Sequence, residues 1–241
     1  MKVLRASPLL LIFLFSVVHL CLAETVRVTE VQGSAWASSQ PGGVKRSLTV
    51  GDLLRKDDLI EVALRGSVRL QQGPGSSNYL YIDGPSKVRV RALSGNYYVE
   101  QGKLVALLDA LPADQTFQIG TVCAVASVRG TRFWVDYSGS TMERAVFSGT
   151  VQVIPGDIQT PASQSIWVHA GEKLLVNSGF ETVSEMLSTS EKEAFMRILN
   201  LFQTPTVLSS VTEAGVSKSD TADDVYEDSD DDIVVSAELT L

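Results

Sequence analysis

Two short runs of residues could do binding chemistry, and both lie in segments that alternate polar and apolar side chains. Lys87, Arg89 and Arg91 alternate with two valines, so on an extended strand the three cations lie on one face. Such a row could bind an anionic glycan or an acidic partner strand, and it could equally protect an exposed sheet edge against aggregation. Tyr79 and Tyr81 share a face in the same way. They could stack on a sugar, or they could support the sheet as a cross-strand aromatic pair.

Catalytic and metal-binding patterns do not accompany these residues. The sequence has no phosphate-binding loop before a helix and no G-x-S-x-G elbow. Beyond residue 23, Cys123 is the only cysteine and His169 the only histidine, which excludes an internal disulfide and a structural zinc site. We expect Cys123 to be a buried, inert thiol, His169 to lie at a turn, and Asp57 and Asp58 to be exposed acids in a charged turn. The prediction is therefore a protein without enzymatic activity, metal or cofactor. A glycosidase stays an alternative, because its two acids can come from any part of a chain.

The formal net charge of −8 is distributed unevenly. Residues 213–241 contain ten acids and one base, whereas residues 24–212 contain eighteen acids and seventeen bases. The acidity therefore belongs to the tail, and the rest of the chain is almost neutral. Nucleic-acid binding needs a concentrated basic patch, and we predict none.

The N-terminus has the pattern of a secretory signal peptide. Lys2 and Arg5 precede an apolar run that ends in Leu22-Ala23, so residues 1–23 are predicted to be cleaved and the protein to be periplasmic or secreted. An uncleaved anchor helix and a lipid-modified Cys21 are the alternatives. No later segment is apolar and long enough to cross a membrane.

Residues 24–180 consist of short alternating runs separated by glycine-containing turns, which predicts an all-β domain. The pattern alone leaves a sandwich and a short solenoid open. Residues 184–204 place Ala194, Phe195, Ile198, Leu199 and Phe202 at helical spacing, so we predict one amphipathic helix after the β domain. Residues 205–241 form an acidic tail that is predicted to be mostly disordered.

In residues 124–135, a strand of small residues leads to Gly130-Thr131, and Phe133 and Val135 follow. This stretch resembles the signature of the FecR domain, the periplasmic module of the ferric-citrate regulator family. The resemblance lies in Gly130-Thr131 with Phe133 and Val135, in Gly149 with Val151 and Val153, and in Gly171 of His169-Ala-Gly-Glu172. It extends over roughly residues 25–176. The resemblance implies that these residues maintain the fold and favours stacked short strands of β-helix-like form.

In FecR regulators, a cytoplasmic segment that contacts a sigma factor and one membrane span precede this domain. Here only some two dozen residues precede it, so we expect the sigma-regulating segment to be absent. The resemblance implies an exported, non-catalytic scaffold that binds a protein or glycan of the cell envelope. The alternative is an envelope signalling component that relays the state of a receptor to a separate membrane regulator. The oligomeric state stays open.

Overall fold

The computed structural model describes residues 25–39, 42–109, 111, 115–156 and 164–203. Within them lie sixteen strands and one helix, α1 (Thr189–Gln203). The strands are β1 (Val26–Gln32), β2 (Ala35–Ser38), β3 (Arg46–Ser47), β4 (Leu53–Leu54), β5 (Leu59–Val62), β6 (Ser67–Gln72), β7 (Tyr79–Ala92), β8 (Asn96–Leu107), β9 (Phe117–Gly120), β10 (Ala124–Val128), β11 (Arg132–Tyr137), β12 (Thr141–Ser148), β13 (Thr150–Pro155), β14 (Ile166–His169), β15 (Glu172–Asn177) and β16 (Thr182–Met186).

The strands form two layers that share the long hairpin β7–β8. Layer A has the order β4-β1-β6-β7-β8-β11-β12-β15-β16, and layer B has the order β3-β2-β5-β7-β8-β9-β10-β13-β14. In β7, residues 79–83 pair within layer A and residues 86–89 pair within layer B. The pairs are antiparallel except β8 with β9, which run parallel. The sheet is therefore mixed, and layers A and B are two halves of one hydrogen-bonded network.

The two layers must face each other, because a flat sheet would break the chain between β10 and β11. Val128 pairs with Phe117, next to the first residue of β8, whereas Arg132 pairs with Leu107 at the last residue of β8. A straight β8 would separate these two levels by roughly 36 Å, but the chain from Val128 to Arg132 spans at most about 14 Å. The hairpin therefore bends over, near Gly84 and Gly102, where the register of β7 and β8 shifts.

The core fills the space between the two layers. On β7, Leu80 and Ile82 enter it from layer A, and Val88 and Val90 enter it from layer B; all four are 0 % exposed. The intervening residues face outward, as period-two alternation requires. The predicted alternation is thus present along the strand that carries both candidate binding runs.

The all-β class, the stacked short strands and the C-terminal helix are confirmed. From β9 onward the chain forms one hairpin in layer B, the next in layer A, and so on, so that successive short strands stack along one direction. The helix begins later than the predicted segment. Residues 182–186 extend layer A as β16, and the helix cap lies at Ser188. Contacts divide the chain into one unit of residues 1–201 and a second of residues 202–241.

Candidate functional site

One cross-strand row of side chains crosses the outer face of layer A. Each member is the register partner of the next, in the order Arg69, Tyr81, Val105, Trp134, Ala145 and Lys173. Val105 and Trp134 point away from the core by alternation, yet they are 0 % and 2 % exposed. Another element must therefore cover the row.

That element is α1, which contacts both ends and the middle of the row. Lys173 Nζ lies 2.9 Å from Glu191 Oε1 near the start of the helix, and Arg69 Nη2 donates to the Leu201 carbonyl at 2.6 Å. Phe195 is 1 % exposed. Its ring lies edge-on to Trp134, with 6.4 Å between the ring centroids, and stacks on Phe147 with 3.6 Å between ring centroids. A 15-residue helix is ~22 Å long, which matches the ~24 Å of five strand spacings. The helix therefore covers the whole row.

The start of α1 is held by a capping box. The Ser188 backbone N–H donates to Glu191 Oε2 at 2.7 Å, and the Glu191 N–H donates to Ser188 Oγ at 3.3 Å. Partial burial alone would raise the pKa of Glu191, but hydrogen bonds from Ser188 and Lys173 outweigh it and lower the pKa to about 2. The hydrogen bond to Glu191 raises the pKa of Lys173. This pair fixes the helix to β15.

The three predicted cations lie together on the outer face of layer B, on β7. Arg89 donates to Glu100 Oε1 through Nε at 2.9 Å and Nη2 at 2.6 Å. Lys87 Nζ lies 3.8 Å from Glu61 Oε2, and the Arg91 guanidinium lies 5.1 Å from the centre of the Tyr98 ring. We call Lys87, Arg89 and Arg91, with Glu61 and Glu100, the charged cluster.

Tyr79 and Tyr81 also face outward, but the bend of β7 places them on layer A. Burial raises the pKa of Tyr81, which is the register partner of Arg69 in the row beneath the helix. The structure therefore does not bring the two tyrosines to the charged cluster. Whether they bind a ligand stays a prediction.

The signature glycines lie where the chain crosses between the layers. Gly130 and Thr131 connect β10 of layer B to β11 of layer A, Gly149 connects β12 to β13, and Gly171 connects β14 to β15. The signature apolar residues point into the core and are 0 % exposed: Phe133, Val135, Val151 and Val153. Sequence reasoning had no signal for the surface beside these crossings, where a groove opens on layer B.

Two buried charged groups were missed by sequence reasoning. The expectation of exposure is wrong for Asp58, which is 0 % exposed and accepts hydrogen bonds from Ser39, Arg46 and the backbone of Arg55. The acid turns inward because these three donors replace its water. Arg144 points into the core, where its guanidinium lies 5.6 Å from the centre of the Phe133 ring. None of its three guanidinium nitrogens has a hydrogen-bond partner among the described residues. Burial lowers the pKa of Arg144 to about 9, so the side chain is still charged at neutral pH.

The sulfur and imidazole groups lie as expected. Cys123 is free and buried, and burial raises the pKa of its thiol. His169 ends β14, and its backbone N–H donates to Glu172 at 2.8 Å. No group of three or more possible metal ligands occurs among the described residues. Among the described residues, helix α1 lacks the length and apolar character needed to cross a bilayer.

Comparison with known proteins identifies the module. The FecR protein family matches residues 55–152, which run from the turn before β5 into β13. This stretch is a FecR domain. The match confirms the resemblance found in the sequence.

Other comparisons add less. No curated protein matches the chain. Two crystal structures of a candidate anti-sigma factor from Parabacteroides distasonis are similar, at 16 % and 17 % sequence identity with TM-scores of 0.47 and 0.46. The alignment covers 57 % of this chain and 64 % and 63 % of theirs, so this chain spans less than two thirds of their length. The predicted signal peptide, residues 1–23, and the acidic tail, residues 205–241, lie outside the described residues.

Proposed function

We propose that this FecR-domain protein is an exported, non-catalytic signalling component of the bacterial cell envelope that binds a regulatory protein through the charged cluster. The observation that carries the proposal is the unequal covering of the two layers. Helix α1 covers the outer face of layer A, whereas no described helix or strand lies over the outer face of layer B.

The position of β7 separates binding from edge protection. β7 pairs with β5 on one side and with β8 on the other, so its cations do not guard an open sheet edge. Lys87 and Arg91 present positive groups on an accessible surface beside Glu61 and Glu100, whereas the Arg89 side chain is only 14 % exposed and is held by Glu100. Alternating charges of this kind set the register and the association rate of a protein partner more than they set its affinity.

Site-specific cross-linking in cells tests the proposed surface. A photo-reactive amino acid replaces Arg91 on layer B in one strain, and Glu193, exposed on α1, in the matched control strain. We expect a discrete protein adduct from position 91 and none from position 193. An adduct from position 193 alone, or from neither position, would overturn the proposal.

Charge reversal then tests the chemistry of the surface. Lys87→Glu combined with Arg91→Glu should abolish the adduct when the photo-reactive group is placed at the exposed residue Lys56, close to the Arg89 side of the cluster. Arg89 stays unchanged because it is held by Glu100. The double variant should unfold within about 0.5 kcal/mol of the parent. An undiminished adduct would show that the cations take no part in binding.

Export is the second part of the proposal. Cleavage after Ala23 would produce a mature protein that begins at Glu24, and N-terminal sequencing of the protein from the periplasm or the medium checks this. An intact Met1 in the membrane fraction would show an uncleaved anchor instead.

A further inference from the structure

The outer face of layer B carries a groove on β10, β13 and β14, which β8 and β9 separate from the cations on β7. Its volume is about 580 Å³, within the range of small-molecule sites. The faces of β10, β13 and β14 and the crossing from β10 to β11 form it. The residues that matter here are Ser127, Arg129, Thr131, Thr150, Gln152 and Trp167.

A register row places a polar floor next to an aromatic ring. Ser127 pairs with Gln152, and Gln152 pairs with Trp167. Trp167 is 57 % exposed, which is unusual for the residue type with the largest apolar surface. The indole therefore forms one wall of the groove beside an amide and a hydroxyl.

Several polar groups of the groove lack a partner in the described part of the chain. Thr131 is 3 % exposed, and its Oγ1 is buried without a hydrogen bond. The side chains of Arg129 and Gln152 make no hydrogen bond or ion pair with a described residue. Buried hydroxyls are nearly always hydrogen-bonded, so the Thr131 hydroxyl, in the lining of the groove, is an exception.

The type of hydrogen-bonding group selects the class of ligand. β10 lies between β9 and β13, and β13 lies between β10 and β14, so the backbone groups beneath the groove are already paired. A peptide that adds as a strand needs a free edge. The edge available here is that of β14, the last strand of layer B, and a strand added there would lie outside the floor that Ser127 and Gln152 form. The floor offers hydroxyls, an amide and a flat indole, and these suit a ligand with many hydroxyl groups and one apolar ring face.

We propose that this groove binds an acidic oligosaccharide. One sugar ring stacks on Trp167, its hydroxyls bond to Gln152, Ser127 and Thr150, and a carboxylate of the glycan pairs with Arg129. This site is separate from the charged cluster, so the protein can bind a glycan and a regulatory protein at the same time.

Titration of the purified protein with defined sugars tests the proposal. The probes are trigalacturonate, sialyl-lactose and a disaccharide containing muramic acid, each beside its carboxyl-reduced neutral form. Saturation-transfer NMR reports contact with each sugar, and tryptophan fluorescence reports Trp167 in a Trp36→Phe background, since Trp134 is buried. At least one acidic probe should bind, and its neutral form should bind about tenfold more weakly, a difference of ~1.4 kcal/mol.

Three variants assign the contacts. Trp167→Ala should weaken binding of the acidic probe by about tenfold or more. Trp36→Phe, which lies on the same face beside Glu61, should leave the affinity for that probe unchanged. Arg129→Gln should lower the affinity for the acidic probe to that for the neutral form. It should not change the affinity for the neutral form. Absence of binding by every probe, equal binding of acidic and neutral forms, or full binding by Trp167→Ala would each overturn the proposal. None of these results depends on cross-linking at the charged cluster, so the two proposals fail separately.

Discussion

Alanine substitutions at Gly130 and Gly149 separate two reasons why the signature contains glycine. Both residues have a positive φ, 88° and 86°. A Cβ at Gly130 would meet nothing closer than the Asp109 carbonyl oxygen at 3.6 Å, whereas a Cβ at Gly149 would lie 2.5 Å from Thr131 Cγ2. Gly130 therefore tests backbone conformation alone, and Gly149 tests conformation together with a steric clash.

The expected costs follow from these distances. Gly130→Ala should destabilise the fold by ~1–2 kcal/mol, the cost of a left-handed conformation for a residue with a side chain. Gly130→Val should cost more than ~2 kcal/mol, because β-branched residues tolerate this region poorly. Gly149→Ala should cost ~2–5 kcal/mol, since overpacking adds about 1–3 kcal/mol to the conformational strain.

A double-mutant cycle isolates the clash. Thr131→Ser removes Cγ2, so Gly149→Ala should cost at least ~1 kcal/mol less in the Thr131→Ser background than in the parent. Urea unfolding followed by circular dichroism measures each variant. Additive effects of Thr131→Ser and Gly149→Ala would refute the steric argument. A Gly130→Ala variant as stable as the parent would refute the conformational one.

Two further predictions concern charged groups. Arg144→Met should stabilise the protein by ~1–4 kcal/mol in urea unfolding, because it replaces a buried cation that has no hydrogen bond among the described residues with an apolar side chain of similar length. A loss of stability would show that the guanidinium has an anionic or hydrogen-bonding partner in solution. Glu191→Gln should destabilise the protein by ~1–2 kcal/mol at neutral pH. This is less than the lowered pKa of Glu191, about 2, would imply, because the side chains of Glu191 and Lys173 are 19 % and 16 % exposed and solvent screens the pair. The folded pKa lies below the ordinary value of 4.5, so the unfolded state binds more protons between these values, and the difference between parent and variant should shrink as pH falls below about 4.5. Glu193→Gln is the control, and a difference that is constant from pH 6 to pH 3 would contradict the assignment.

Local patterns were sufficient for the elements and the module. Alternation along 79–91 predicted which side chains of β7 face outward, because strand geometry has a period of two whatever lies beside the strand. The spacing of Phe195 and Leu199 predicted the helix, because an α-helix has a period of 3.6 residues whatever lies beside it. The glycine-based signature predicted the FecR domain, since its glycines lie at crossings that recur in the fold.

The placement of surfaces relative to each other was beyond these patterns. The same alternation puts Tyr81 and Arg89 on the outward side of one strand, yet the bend near Gly84 assigns them to opposite layers. Asp58 looked like an ordinary surface charge, and the sequence carried no signal that Arg144 is buried, because burial of a charged side chain depends on neighbours that are distant in sequence. Asp58 meets Arg46 only after the turn folds, and Arg144 enters the core on the face of β12 that also carries Met142 and Val146.

The sequence by itself determined the β-rich class, the helix that follows the β domain and the identity of the module, because periodicity and turn residues act over a few positions. Only the tertiary structure decided which face is covered and which is open. Trp134 and Trp167 both point away from the core on strands with similar patterns, but α1 lies on Trp134, and Trp167 remains accessible beside Gln152. That difference arises from packing between residues far apart in the chain, and it places the candidate ligand site on layer B.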